Sequence, residues 1–367
     1  MSTSTTGTTR KCAAVVIGLG VLTLAACGSS DSGGGSGDDG DPKTVTLVSH
    51  DSFAASEDVL EAFEEESGYQ VRVLKDGDAG QAVNKAILTK DNPQGDVLFG
   101  VDNTLLSRAL DNGLFQPYEA KESDAVLPEY RADQDGHRVT AVDTGDVCVN
   151  YDKAYFAEHE LDPPASFDDL AEPAYKDLLV TSNAATSSPG LGFLLGTAAA
   201  YGDDQWQDYW KKLEANGVKV VDGWEQAYNE EFSGSAGGKK AGGERPLVVS
   251  YASSPPAEAI FADPQPETAP TGVATGTCFR QVEYAGLLSN AGNPEGGKAL
   301  LDFMIGKTFQ DDMPLNMFVD PVREGAQLPE EYRKYAVEVD EPETMAPETI
   351  AENRDEWVKA WTSLVLK

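Results

Sequence analysis

Seven short stretches of this chain place carboxylates, hydroxyls and aromatic rings just where a run of β-branched or apolar residues ends. They are His50-Asp51-Ser52-Phe53, Lys75-Asp76-Gly77, Asp102-Asn103, Asp143-Thr144-Gly145-Asp146, Thr186-Ser187-Ser188-Pro189-Gly190, Gly223-Trp224 and Ser250-Tyr251. Carboxylates beside aromatic faces suit an organic cation, which gains from charge pairing and from the negative face of a π system. Each residue alone also has a structural reading. An aspartate after a strand is a common turn former, and a tryptophan after glycine serves equally well in a core. Ser187-Ser188-Pro189-Gly190 opens an apolar run, where free N–H groups and hydroxyls could receive an anion. Ordinary capping, with proline in the first turn, is the alternative.

Groupings that would carry out catalysis are thin. The three histidines, His50, His137 and His159, form no HExxH, and neither a GxSxG nor a CxxC pair occurs. The abundance of carboxylates leaves a two-carboxylate hydrolase open by composition, but no spacing singles out a pair. The expectation is therefore a binding protein with no catalytic residue, no metal ligand and no cofactor.

The 367 residues carry 62 acidic and 28 basic side chains, a formal charge of −34. Such a surface repels phosphate backbones and anionic bilayers, so nucleic acid is excluded as a partner on charge alone. The length suggests about two domains. Residues 1–26 read as an export signal: Arg10 and Lys11 precede the apolar run Ala13 to Ala26, too short for an ordinary transmembrane helix. Its end, Leu24-Ala25-Ala26-Cys27, resembles a bacterial lipobox, with Cys27 as the lipidated residue. Residues 27–43 then form a Gly-, Ser- and Asp-rich tether. The protein is expected outside the cytoplasmic membrane, anchored through Cys27. In that oxidising setting Cys148 and Cys278 remain, both in strand-like runs. A disulfide between them is expected, with two buried thiols as the alternative.

Alternation of strand and helix signals runs through two sets. Strands are expected at Thr44–Ser49, Tyr69–Leu74 and Asp96–Val101, with helices at Ser56–Glu66, Ala79–Lys90 and Asn103–Asp111. The second set has strands at Leu178–Thr181, Val218–Val221 and Leu247–Tyr251, and helices at Pro189–Ala200, Asp203–Ala215, Trp224–Phe232 and from Pro256. Ser166 and Asp169 form a capping box, and Ser233–Arg245 reads as a Gly-rich surface loop. Late helices are expected at Asn293–Gly306 and Glu352–Val365. Two long extended segments, Val139–Tyr151 and Thr277–Tyr284, could link the sets. Two α/β lobes joined by two crossings place a ligand at the carboxyl ends of the strands.

At those loops the chain resembles the periplasmic thiamine-binding proteins of ABC import systems. The matching stretches are TVTLVSHDSFAAS (44–56), LKDGDAGQAVNKA (74–86), GDVLFGVDNTLL (95–106), DTGDVCVNYDK (143–153), TSSPGLGFLL (186–195), VKVVDGWEQAY (218–228), LVVSYASSP (247–255) and QVEYA (281–285). They are collinear over about residues 44–365. The resemblance implies an α/β, two-lobed type II periplasmic-binding-protein fold with two extended hinge crossings. Lobe 1 would span 44–145, lobe 2 would span 146–277, and 278–367 would return to complete lobe 1. It also implies capture of thiamine or its phosphates and delivery to an ABC permease, by a monomer.

By the same resemblance Trp224 and Tyr251 meet the thiamine rings, Asp76 supplies a carboxylate to the cleft, and Ser187, Ser188 and Gly190 surround the hydroxyethyl or phosphate end. His50, Asp51, Ser52 and Phe318 complete the expected site. His50 stands where the family leads one to expect tyrosine and Phe318 where it leads one to expect tryptophan. Asn183-Ala184-Ala185 replaces an Asp-Pro-Arg, and loss of that arginine weakens the case for phosphate esters. Burying the thiazolium cation calls for a compensating charge, expected from Asp76 or Asp143. The rival readings are a binder of polyamine or another cationic solute, a secreted carboxylate-dependent hydrolase, and an iron(III) binder. The adjacent Tyr-Tyr that some iron binders of this plan use is absent.

Overall fold

The fold rests on nine strands, seen in a computed structural model that describes residues 43–366 apart from Asp204. The export signal assigned to 1–26, the lipidation site Cys27 and residues 28–42 of the tether lie outside the described residues. The strands are β1 (Thr44–Ser49), β2 (Gln70–Lys75), β3 (Val97–Asp102), β4 (Thr140–Asp152), β5 (Leu179–Ser182), β6 (Lys219–Val221), β7 (Leu247–Tyr251), β8 (Thr271–Leu287) and β9 (Asp320–Pro321). They run in the order β2-β1-β3-β8-β4-β7-β5-β6, and β9 pairs with β4.

Each end of this sheet is parallel and each parallel connection carries a helix, as βαβ units require. β1 pairs with β2 and β3, and β5 with β6 and β7. The helix Glu57–Ser67 follows β1 because Ser56 Oγ accepts the Val59 N–H at 3.2 Å and Gly68, at φ +75°, ends it with a bond to Glu64 O. Asp78 and Gln81 form a capping box at the start of helix Ala79–Leu88.

Between the two ends run β4 and β8, antiparallel to one another over most of their length. β8 pairs with β3 through Glu283–Leu287, and β4 pairs with β7 through Val147–Tyr151. They match the two expected extended segments. Their one covalent link is Cys148–Cys278, with an S–S distance of 2.02 Å. Both sulfurs belong to nearly fully buried residues beside Ala252.

Helix Ser188–Tyr201 lies against these crossing strands and is buried from Ser188 through Ala198. That explains its lack of a polar face. It comes so close to β5 that a side chain at Gly190 would run into the Ser182 carbonyl. The C-terminal helix Pro347–Val365 seats Trp357 and Trp361 on Trp206 and Trp210 of helix Trp206–Ala215. Two expectations need local correction. Residues within 233–245 include a short helix, Ala236–Ala241, capped by Ser235. Trp224–Phe232 is a brief α turn, Trp224–Gln226, followed by a π turn, Ala227–Glu231.

Candidate functional site

Loops after β1, β2 and β7 converge with the middles of β4 and β8 on a cleft of about 790 Å³, counting its open mouth. His50 and Ser52 come from the loop after β1, and Asp78 and Ala79 from the start of helix Ala79–Leu88. β4 supplies Asp143 and Gly145, and β8 supplies Gln281 and Glu283. Ser188, Trp224, Tyr228 and Tyr251 come from the β5–β7 end, and Phe318 from the segment after helix Lys307–Asn316.

One wall is aromatic. Trp224 stacks on Tyr228, with ring centroids 5.0 Å apart and planes 16° apart, and lies 6.3 Å from Tyr251. Its indole Nε1–H donates to Ser250 Oγ at 2.9 Å, which orients the ring while leaving it half-buried. Phe318 is held at φ +55°, a backbone conformation uncommon for a bulky residue, and meets Phe261 edge-on at 5.6 Å.

The floor is acidic. Asp143 and Glu283 are register partners across β4 and β8. Asp143 is 1 % exposed and its Oδ2 has no hydrogen-bond partner. Burial, and then the Glu283 charge, push its carboxyl well above the usual carboxylate range. His50 Nε2 lies 3.8 Å from Glu283 Oε2, an ion-pair rather than a hydrogen-bond distance. Burial pulls the imidazole down, but Glu283, aided by Asp78, outweighs it and the ring titrates above its ordinary value. Behind this layer Asp102 accepts from Ser188 Oγ, from Thr104 Oγ1 at 2.6 Å and from Gln281 Nε2 at 2.7 Å. Burial raises its pKa to about 6. Asp78, half-buried, also titrates above its ordinary value because of burial. Among the residues that line the cleft there is no lysine or arginine, so the wall charge is negative and the only basic side chain is His50. The arrangement can hold a flat organic cation between π faces and carboxylates.

Seven of the expected residues meet here: His50, Ser52, Asp143, Ser188, Trp224, Tyr251 and Phe318. Four do not line it. Asp51 sits at an adjoining depression with Ser52 and Asp78, and its carboxylate accepts the Gly77 N–H at 3.2 Å. Asp76 lies away from the cleft, paired with Lys85, so the nearby carboxylate is Asp78 instead. Ser187 is buried and donates to Ser182 Oγ at 2.8 Å. Gly190 serves the close packing of its helix on β5. Sequence reasoning missed Asp78, Tyr228, Gln281 and Glu283 as site residues. Gln281 and Glu283 alternate on one face of β8, flanking the buried Val282. Among the described residues no group of histidines, cysteines and carboxylates is arranged to hold a metal ion.

Comparison with known proteins places this chain in a family. Residues 92–252 match the family described as bacterial extracellular solute-binding protein. A thiamine-binding periplasmic protein of Escherichia coli K12 is 30 % identical over 88 % of this chain and 93 % of its own. One from Brucella suis biovar 1 is 28 % identical over 87 % of this chain and 91 % of its own. A solved periplasmic thiamin binding protein superposes with a TM-score of 0.74 at 28 % identity, covering 88 % of this chain and 96 % of its own. A ferric binding protein from Campylobacter jejuni, at 17 % identity and a TM-score of 0.68, shares the fold. With a mixed sheet crossed by two long strands and a cleft beside them, this type II periplasmic-binding-protein fold belongs to the family of bacterial extracellular solute-binding proteins that includes these thiamine-binding relatives.

Proposed function

We propose that the chain captures thiamine in this cleft outside the cytoplasmic membrane and hands it to an ABC import permease. The observation that carries the reading is the pairing of Trp224, Tyr251 and Phe318 with the carboxylates of Asp78, Asp143 and Glu283 in one cleft. It occurs on a chain related along most of its length to thiamine-binding proteins. A thiazolium ring carries a fixed positive charge. Each π face contributes about 0.5–2 kcal/mol to such a cation, depending on desolvation, and the carboxylates offset the cost of burying it. Ring nitrogens and the amino group of the pyrimidine find partners in Gln281, Ser188 and the carboxylates.

In the same reading Cys27 bears a lipid anchor, the lobes divide at 44–145 and 146–277 with 278–367 returning, and the protein acts as a monomer. It performs no catalysis and needs no cofactor. The test is titration of the soluble chain, freed of carried-over ligand, with thiamine while tryptophan fluorescence is read. Saturable quenching at low-micromolar or tighter concentration, unaffected by excess spermidine, is the expected outcome. Displacement by spermidine would move the reading to polyamines, and silence toward every thiamine species would overturn it.

A further inference from the structure

The N-terminus of helix Ala79–Leu88 touches the far end of the sheet beside the cleft. Asp78 Oδ2 accepts the Trp224 N–H at 2.8 Å, and Oδ1 accepts the Ser188 N–H at 3.3 Å while also capping its own helix through Ala79 N–H at 2.7 Å. Gln81 N–H donates to Thr186 O at 3.1 Å. The approach needs glycine: a Cβ at Gly80 would lie 2.6 Å from that same Thr186 oxygen. Ser187 makes no side-chain cap to the helix it precedes, and Gly223 has no side chain with which to make one. One carboxylate from the β1–β3 end thus serves first-turn N–H groups of two segments at the β5–β7 end.

Those N–H groups are what a phosphate would seek in this cleft, because backbone donors at a helix start bind anions. They are already occupied by a fixed anion. A phosphate that avoided them would face Asp143 and Glu283 on the floor, with His50 as the single cationic partner. The adjoining depression offers no refuge, since Asp51, Asp78, Asp222 and Glu225 line it. We infer that Asp78 is a specificity-determining clasp, which fills the anion position at Ser188 and Trp224 and makes the cleft select unphosphorylated thiamine over its phosphate esters. The inference rests on thiamine capture as proposed above. A dianionic ester must displace Asp78 or sit beside it, and either cost falls on the ester alone.

The test is calorimetric titration of the wild-type chain, Asp78→Asn and Asp78→Ser with thiamine, thiamine monophosphate and inorganic phosphate. Asparagine keeps the size and an acceptor oxygen, and serine keeps a helix-capping oxygen, so the pair guards against loss of the fold. Wild type should bind thiamine at least tenfold more tightly than the monophosphate. Both variants should narrow that ratio at least fivefold through tighter monophosphate binding. Equal affinity of wild type for the two ligands, or a ratio unchanged in both variants, would overturn the clasp while leaving thiamine capture standing. Failure of wild type to bind thiamine at all would overturn the functional reading and the clasp with it.

Discussion

Asp143 and Glu283 face one another across β4 and β8 in direct register, two carboxylates opposed at the floor of a cleft. Burial, and after it the like charge opposed this way, push the Asp143 carboxyl well above the ordinary carboxylate range. A cation entering the cleft needs that charge, so it displaces a proton. Affinity for thiamine should therefore rise with pH above the ordinary carboxylate range, by at most about tenfold per unit for one displaced proton. His50, whose pKa is also raised, acts in the same direction because its positive charge disappears as pH rises. Calorimetry in buffers of different ionisation enthalpy reads the released proton directly. Asp143→Asn should flatten the pH profile, and a slope left intact would show that another group carries it.

The same carboxyl has a stability consequence of opposite sense. A carboxyl whose folded pKa lies above its unfolded value supports the fold fully below the unfolded value, near 4. That support is lost as pH rises through the folded pKa. Ligand-free Asp143→Asn should thus melt at or above the wild-type temperature at pH 7.5, with no such gain at pH 4. A marked loss at neutral pH would mean that Asp143 is paired in a way the geometry does not reveal.

Trp224 is the fluorescent reporter of the cleft. Of the five tryptophans in the chain, Trp206, Trp210, Trp357 and Trp361 are buried away from it and Trp224 lines it. Trp224→Phe should abolish most of the ligand-induced change and leave binding measurable by calorimetry. Trp224→Ala should weaken binding by about 2- to 30-fold, the range set by one cation–π contact. A full fluorescence response in Trp224→Phe would place the ligand elsewhere.

Removing the Cys148–Cys278 link, which closes a stretch with a sequence separation of 130, should cost about 2–5 kcal/mol. Denaturant melts with and without reductant measure it. Peptide mass spectrometry without reduction should recover the crosslinked pair, and free thiols at both positions would contradict the structure.

Trp361 is fully buried and meets Trp210 edge-on at 5.4 Å. Trp361→Ala should destabilise by about 3–5 kcal/mol without changing thiamine affinity in the protein that remains folded. A selective loss of affinity at unchanged stability would assign this helix to the site instead.

Much of this fold could be read along the chain because local signals agree with it. β1 is a β-branched run, Ser56 caps the following helix and Gly68 stops it, so each boundary has its own chemistry. The long strands β4 and β8 were legible for the same reason. The helix Ala236–Ala241 was not, since Gly-Gly-Lys-Lys composition argues for a loop and only the buried cap of Ser235 on Gly238 N–H pays for the turn. The site was partly legible. Aromatic residues at strand ends announced the cleft, but Lys75-Asp76-Gly77-Asp78 offers two acids, and composition does not choose between them. The choice is made by backbone pairing: Asp76 N–H bonds Ser49 O, Gly77 turns at φ +86°, and Asp78 is the residue delivered to the far wall. The alternation of Gln281 and Glu283 marks a strand face, but only strand register brings Glu283 opposite Asp143, far away in sequence.

The disulfide between the crossing strands also restricts motion. A crosslink between β4 and β8 prevents either strand from sliding past the other, so shear along their shared axis is closed as a route. What remains is bending of the crossing strands, which β3, β7 and β9 flank over part of their length. Paired spin labels on β1 and β6, at the two parallel ends of the sheet, should therefore report a change in tilt between those ends on ligand binding, with the β4–β8 register unchanged.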